Sequence, residues 1–349
     1  MMDKRMEKLS KQIDEYAEKE GFSGVVRVTI KDKIVYEKSV GYADFENKIP
    51  HTKDTEYTLY SLSKPFCTLG IMKLVDKGLV NLDEHPKKYV PEMSGFDERV
   101  TVRQMLQHTS GLPDYAQTPG FYDKYVKSGI TDHRKLTEII TGYPMFFEPG
   151  KEARYCTSNF TYVALIIENV SKMPYAEYMR QEVFLPLGMT SAYIDYDGKF
   201  IPNRAHGYEK QNGKMVAVPK EYLIMLGGGD VVATVDDVYK LNEAIKHKKL
   251  ISEKSWKEIF SRSSVSYHTM GLGCNMTVWH GKNRITHNGG HVGFRTLHVQ
   301  LIDDDFDLIL LSNSGWGNAR DVISEYVHEC FYGDDNSLSQ VVEMDKGYV

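Results

Sequence analysis

The stretch Leu59-Tyr60-Ser61-Leu62-Ser63-Lys64 lies where a hairpin-rich N-terminal region gives way to an apolar helix that begins near Phe66. Ser61 and Lys64 form the only Ser-x-x-Lys pattern in the 349 residues. Residues three apart on a helical turn share one face, so the amine can reach the hydroxyl. A helix N-terminus also offers backbone N–H groups to a developing oxyanion. The stretch therefore predicts that Ser61 is the nucleophile. Ser63 is the alternative nucleophile, but it is adjacent to Lys64 in the sequence, so its side chain would point in a different direction.

The two ends of the chain carry strand patterns. Residues 26–30 and 34–36 are rich in β-branched side chains and flank Lys31-Asp32-Lys33, which is typical of an antiparallel hairpin. Near the other end, 296–302 and 308–312 flank the acidic turn 303–307 and predict a second hairpin. These patterns place strands of one sheet at both termini.

Helical patterns fill the middle of the chain and both of its ends. Leu9, Ile13 and Tyr16 are spaced as on one face of a helix over residues 5–20. Further helices are predicted over 66–75, 102–106, 161–170, 175–184 and 320–331, with another that opens at Asp236-Asp237. The predicted fold class is α+β, with an antiparallel sheet built from both termini, flanking helices and an inserted helical subdomain. We expect one catalytic domain over 1–349, its α/β part near 1–75 and 226–349 and its helical part near 76–225.

Composition and charge limit the classes of partner and the cellular location to be expected. A net charge of −5 disfavours nucleic acid as a partner, because such proteins usually present a basic face. The charged N-terminal segment has no apolar run of the length that export or a membrane span needs, so we expect a cytoplasmic protein without a membrane partner. The four cysteines are scattered without a CxxC pair, which predicts reduced, buried thiols.

Two candidate metal motifs are set aside. His287 and His291 have the i, i+4 spacing of zinc helices, but the intervening Gly289 and Gly290 oppose a helix. Asp195-Tyr196-Asp197-Gly198 begins like a calcium loop, yet it lacks the closing glutamate and predicts a plain turn. The sequence therefore predicts no metal and no cofactor.

Two further segments resemble the motifs of a known family. They are 149–160, with Tyr155-Cys156-Thr157, and 284–294, with His287-Asn288-Gly289. Together with Ser61 and Lys64 they resemble the class C β-lactamases, the D-Ala-D-Ala carboxypeptidases and the related esterases and D-amino-acid peptidases. That family has Ser-x-x-Lys, Tyr-x-Asn and Lys- or His-x-Gly in this order. The similarity extends through segments 41–44, 106–113, 184–189 and 233–237 and covers nearly the whole chain.

The resemblance implies a role for each catalytic residue. Ser61 would be acylated, Lys64 and Tyr155 would share the removal and return of its proton, and His287 would polarise the site. A serine hydroxyl is a weak nucleophile at neutral pH and needs such a base held against it. Which of Lys64 and Tyr155 is the acylation base is open.

The resemblance also implies the binding residues. The backbone N–H groups of Ser61 and Gly290 would form the oxyanion hole, and loss of either donor would cost about 3 kcal/mol. Gly289 would keep the strand clear for substrate, and His291 would line the cleft rim. Thr157 departs from the family, which has asparagine there to hold the substrate's amide and the lysine. A threonine hydroxyl offers less than a full amide, so efficient β-lactamase activity is the lesser expectation.

The expected function is acyl-enzyme hydrolysis by Ser61, in an esterase or a peptidase or amidase that acts on a small ester, amide or short peptide. A β-lactamase or D-Ala-D-Ala carboxypeptidase is one alternative. A catalytically weak or inactive homologue that binds or regulates is another, which the Thr157 change keeps open. The sequence does not indicate an oligomeric state.

Overall fold

The computed structural model describes residues 2–195, 203–218, 225–265, 270–315 and 317–333. The chain forms two compact units. The first comprises Met1–Tyr57, Ile201–Lys220 and Thr277–Val349, and the second comprises Thr58–Phe200 and Glu221–Met276. The boundaries predicted near residues 75 and 226 differ from these, and the assignment of all residues to one catalytic domain stays a prediction. The candidate calcium loop at 195–198 extends outside the described residues.

The described strands number thirteen and are mostly short. They are β1 Gly24–Ile30, β2 Lys33–Val40, β3 Tyr42–Asp44, β4 Ile49–Pro50, β5 Tyr57–Thr58, β6 Tyr193–Ile194, β7 Tyr208–Gln211, β8 Lys214–Ala217, β9 Val231–Ala233, β10 Asn275–Trp279, β11 Lys282–His291, β12 Phe294–Leu301 and β13 Phe306–Ser312. Three small sheets pair β3 with β4, β7 with β8, and β9 with both β5 and β6. These small sheets are not among the elements predicted from the sequence.

The principal sheet joins the two ends of the chain, with strand order β10-β11-β12-β13-β1-β2. β1 is antiparallel to both β2 and β13, and Val26 lies opposite Leu310 in the β1–β13 register. β11, β12 and β13 also pair antiparallel in succession. Both predicted hairpins and the sheet built from both termini are thereby confirmed.

Nine α-helices are described. They are α1 Met2–Glu20, α2 Lys64–Asp76, α3 Val102–Leu106, α4 His133–Ile140, α5 Ser158–Ser171, α6 Tyr175–Tyr178, α7 Val235–Lys246, α8 Glu253–Ile259 and α9 Ala319–Tyr332. The predicted helices are found, with one difference at 175–184, where the α-helix ends at Tyr178 and a π-helical segment continues over Met179–Phe184. Among these helices, none has the length and hydrophobicity that a bilayer span requires.

Each unit has apolar side chains at its centre. In the first unit, Leu9 and Ile13 of α1 are fully buried and pack with Val26, Leu310 and Ile323. This packing explains the helical spacing of the apolar residues near the N-terminus.

In the second unit, α2 is buried along nearly all of its first two turns. A proline at its start suits the first turn of a helix, and Gly78 with φ of +69° follows its end. α2 thus carries the Ser-x-x-Lys lysine into a buried setting.

Candidate active site

Ser61 lies in a short 3-10 turn, Tyr60–Ser63, that continues directly into α2. The preceding Tyr60 has φ of +48°, a left-handed conformation that costs a tyrosine on the order of 1 kcal/mol. β9 holds the turn on both sides: the Leu59 N–H donates to the Val231 carbonyl at 2.8 Å, and the Val231 N–H donates to Ser63 Oγ at 3.0 Å. Ser63 is fully buried by this contact, whereas Ser61 is only half-buried.

Lys64 begins α2 and has no solvent exposure. Its Nζ donates to Ser61 Oγ at 3.1 Å and to the Gly228 carbonyl oxygen at 2.8 Å. The same Nζ lies 4.8 Å from the centre of the Tyr155 ring. A buried amine needs such partners, because an isolated ammonium is costly to remove from water. The structure therefore brings Ser61, Lys64 and Tyr155 together.

Tyr155 is held in the loop before α5 by His108. The two rings stack with centroids 4.5 Å apart and planes inclined by 26°. The Cys156 N–H donates to His108 Nδ1 at 3.0 Å, so that nitrogen is unprotonated and the imidazole is neutral. Gln117 Nε2 also donates to the Tyr155 carbonyl at 2.8 Å. These contacts fix the phenol ring beside the Lys64 amine.

Thr157 packs against a glycine turn. It is half-buried at the start of α5, where its side chain makes no capping hydrogen bond to the described residues. A Cβ added at Gly228 would lie 2.9 Å from Thr157 Cγ2 and 3.2 Å from the Thr157 carbonyl oxygen. Thr157 is therefore in contact with the residue whose carbonyl receives the Lys64 hydrogen bond.

The other predicted site residues lie on β11 in the first unit. His287 is 2% exposed, and its Nδ1 is 2.7 Å from the Asn288 carbonyl oxygen. Gly290 is exposed opposite Arg295 of β12, and His291 lies opposite Phe294. Since this segment is a strand, the two histidines do not have the helical geometry of a zinc helix. The roles of His287, Gly289, Gly290 and His291 towards Ser61 stay predictions.

Three residues near Lys64 were missed by the sequence analysis: His108, Gly228 and Asp230. His108 lies in segment 106–113, which the sequence marked only by its similarity to the family. Gly228 acts through its backbone, which has no side-chain signature, although the run Gly227-Gly228-Gly229 before a strand is an available signal. Asp230 is a single carboxyl residue after that run, and it belongs to none of the three motifs.

Comparison with known proteins identifies the family. The Beta-lactamase family profile matches residues 9–327. Penicillin-binding protein 4* of Bacillus subtilis strain 168 is 30% identical over 317 residues, which are 85% of this chain and 69% of that protein. The D-amino acid amidase of Ochrobactrum anthropi SV3 has a TM-score of 0.77 and 22% identity, covering 94% of this chain and 97% of its own. A class C β-lactamase has a TM-score of 0.79 and 19% identity, covering 95% and 98%.

The chain belongs to the β-lactamase family. It has the β-lactamase/transpeptidase-like fold, which combines α-helices with an antiparallel sheet, and it is a serine hydrolase. The resemblance inferred from the three motifs and the α+β fold class are both confirmed.

Proposed function

We propose that this chain hydrolyses small esters, amides or short peptides through an acyl-enzyme on Ser61. The observation that carries the proposal is the 3.1 Å hydrogen bond between Lys64 Nζ and Ser61 Oγ, made by a lysine without solvent exposure. A lysine amine held at hydrogen-bonding distance from a serine hydroxyl is the arrangement that activates this otherwise weak nucleophile. Ser61 has both the partner and the partial exposure that a nucleophile needs.

The reaction has two stages. Ser61 Oγ forms a bond to the substrate carbonyl carbon while its proton passes to Lys64 or Tyr155. The tetrahedral intermediate then breaks the bond to the leaving group, which takes up that proton. In the second stage water attacks the acyl-enzyme carbonyl and gives a proton to the same pair. The second tetrahedral intermediate then breaks its bond to Ser61 Oγ, which takes up that proton, and the acid is released. By the family resemblance, the N–H groups of Ser61 and Gly290 would receive the oxyanion, and His287 would polarise the carbonyl.

Thr157 bears on the substrate class. Its hydroxyl is a shorter hydrogen-bonding group than the family's asparagine amide, and its methyl group is occupied against Gly228. This arrangement supports substrates that do not depend on recognition of an acylamino side chain, such as simple esters and amides. The fold shared with a D-amino acid amidase agrees with that class.

β-Lactamase or D-Ala-D-Ala carboxypeptidase activity is the second candidate, because the relative with 30% identity is called a penicillin-binding protein.

As to compartment, the four cysteines are unpaired and buried, which supports a reducing environment. We therefore keep the cytoplasm as the proposed location.

The test combines turnover with covalent labelling. Purified protein is assayed with p-nitrophenyl esters, D-amino-acid anilides and a chromogenic cephalosporin, and the adduct of a fluorophosphonate probe is located by mass spectrometry. Label on Ser61 together with turnover supports the proposal. Label on Ser63, or intact ligand binding with no adduct and no turnover, would reject it, and the second result would favour the non-catalytic alternative. Ser61→Ala and Ser63→Ala are the matched pair, since only the first is expected to abolish labelling.

A further inference from the structure

The turn that contacts Lys64 is closed by an aspartate. Oδ2 of Asp230 accepts a hydrogen bond from the Gly227 N–H at 2.7 Å. The N–H groups of Gly228 and Gly229 both donate to the Met225 carbonyl oxygen at 2.9 Å. The Asp230 carboxyl thus holds the first residue of the glycine run, and the Gly228 carbonyl is left to receive the Lys64 hydrogen bond at 2.8 Å.

The glycine turn fits tightly against the helices that carry the site. Gly227 has φ of +70°, and a Cβ there would lie 2.6 Å from the Phe160 carbonyl oxygen and 3.1 Å from Cys67 Sγ. The next strand begins at Val231, whose backbone holds the Ser61 turn on both sides. A shift of this turn would therefore move the acceptor of Lys64 and the support of Ser61 together.

The Asp230 carboxyl is in a buried and charged setting. Its exposure is 8%, and its Oδ1 has no hydrogen-bond partner in the part of the chain that the structure describes. The titratable groups that face it are Lys64 on α2, Asp195 after β6 and the Cys67 thiol on α2. Burial is the main cause that raises the pKa of Asp230 to about 7. The backbone N–H groups of Gly227 and Asp230 and the Lys64 charge act in the opposite direction, whereas Asp195 acts in the same direction as burial. Burial also raises the pKa of Cys67 to about 12, so the thiol is neutral.

We propose that Asp230 is a positioning residue of the acylation step, whose carboxyl fixes the Gly228 carbonyl against Lys64 and whose negative charge favours the protonated amine. This inference rests on the proposed acyl-enzyme function of Ser61. The two effects can be separated by substitution. Asp230→Asn keeps an oxygen that can accept the Gly227 N–H but removes the charge, whereas Asp230→Ala removes both.

The experiment measures the rate at which a fluorophosphonate probe labels Ser61, followed by mass spectrometry over a range of pH that spans neutrality. Since a nearby carboxylate favours the charged form of an amine, Asp230→Asn should move the midpoint of the rate profile to lower pH by about one unit. Its plateau rate should stay close to that of the unsubstituted protein. Asp230→Ala should also lower the plateau by about tenfold or more, because the turn is released.

Asp236→Asn is the control, because Asp236 is an exposed aspartate in the first turn of α7 and should leave the profile unchanged. If Asp230→Ala does not fold, Asp230→Asn is a sufficient test by itself. An unchanged midpoint of the pH profile of the labelling rate in folded Asp230→Asn overturns the inference. Unchanged profiles in both variants, with Ser61 labelled in the unsubstituted protein, reject the role of Asp230 and leave the proposed function intact. Failure of the unsubstituted protein to be labelled at Ser61 rejects the proposed function and the role of Asp230 with it.

Discussion

A methyl group at position 228 would collide with Thr157. The added Cβ of Gly228→Ala would be 2.9 Å from Thr157 Cγ2, closer than carbon atoms approach in proteins, and 3.2 Å from the Thr157 carbonyl oxygen. Such overpacking typically costs about 1–3 kcal/mol of unfolding free energy. Relief of the collision would also displace the Gly228 carbonyl from Lys64, so we expect Ser61 labelling to slow by about tenfold or more.

Thr157→Ser removes the colliding methyl group and keeps the hydroxyl. We therefore expect the double variant Gly228→Ala/Thr157→Ser to recover part of the lost stability, with a coupling energy of about 1–2 kcal/mol. Recovery should be incomplete, because the 3.2 Å contact with the backbone oxygen remains. Urea unfolding, after a check that it is reversible, gives the four free energies of the cycle.

Gly142→Ala is the matched control for Gly228→Ala. An added Cβ at Gly142 would meet only the Ile139 carbonyl oxygen at 3.5 Å, an ordinary contact. We expect this variant to keep its stability and its labelling rate. If the two substitutions at 228 and 157 are simply additive, the steric explanation is refuted.

Three other predictions concern the site and the sheet. Ser61→Ala should abolish turnover, and Lys64→Ala and Tyr155→Phe should each lower kcat by orders of magnitude, with non-additive double variants because the three act as a unit; full activity of Ser61→Ala would contradict this. Thr157→Asn should raise the rate with a chromogenic cephalosporin relative to that with a p-nitrophenyl ester, and an unchanged ratio would show that position 157 does not select substrates. Burial lowers the pKa of His298 from 6.5 to about 3. The contribution of neutral His298 to stability is thus fully present above pH 6.5 and is lost by up to about 1.4 kcal/mol per pH unit as the pH falls towards 3, because the unfolded chain takes up the proton first. Urea midpoints measured at several pH values should fall less steeply in His298→Phe than in the unsubstituted protein, and equal slopes would count against the assignment.

The long elements of the fold could be predicted because their signals are local. The alternation over 26–30 and the helical spacing of Leu9 and Ile13 each extend over enough residues to show a period. Strands of two to four residues, such as Tyr193–Ile194, are too short to show one. The π-helical segment after Tyr178 was also missed, since its side-chain spacing is close to that of an α-helix.

The candidate site also has contacts that could be predicted from the sequence and contacts that could not. Contact between Ser61 and Lys64 follows from three-residue spacing on a helical turn, which the sequence displays directly. The position of Tyr155 depends on tertiary packing and was inferred from resemblance. The contact of Lys64 with Gly228 could not be predicted, because its acceptor is a backbone carbonyl placed by a turn that is distant in sequence.

The pairing of β1 with β13 has a consequence for biosynthesis. Val26 finds its partner Leu310 only after most of the chain has left the ribosome, so one edge of the early hairpin stays open throughout translation. An open strand edge is a template for pairing with other chains. A chain arrested before Phe306 would therefore lack the strand that closes this edge and would be prone to aggregate.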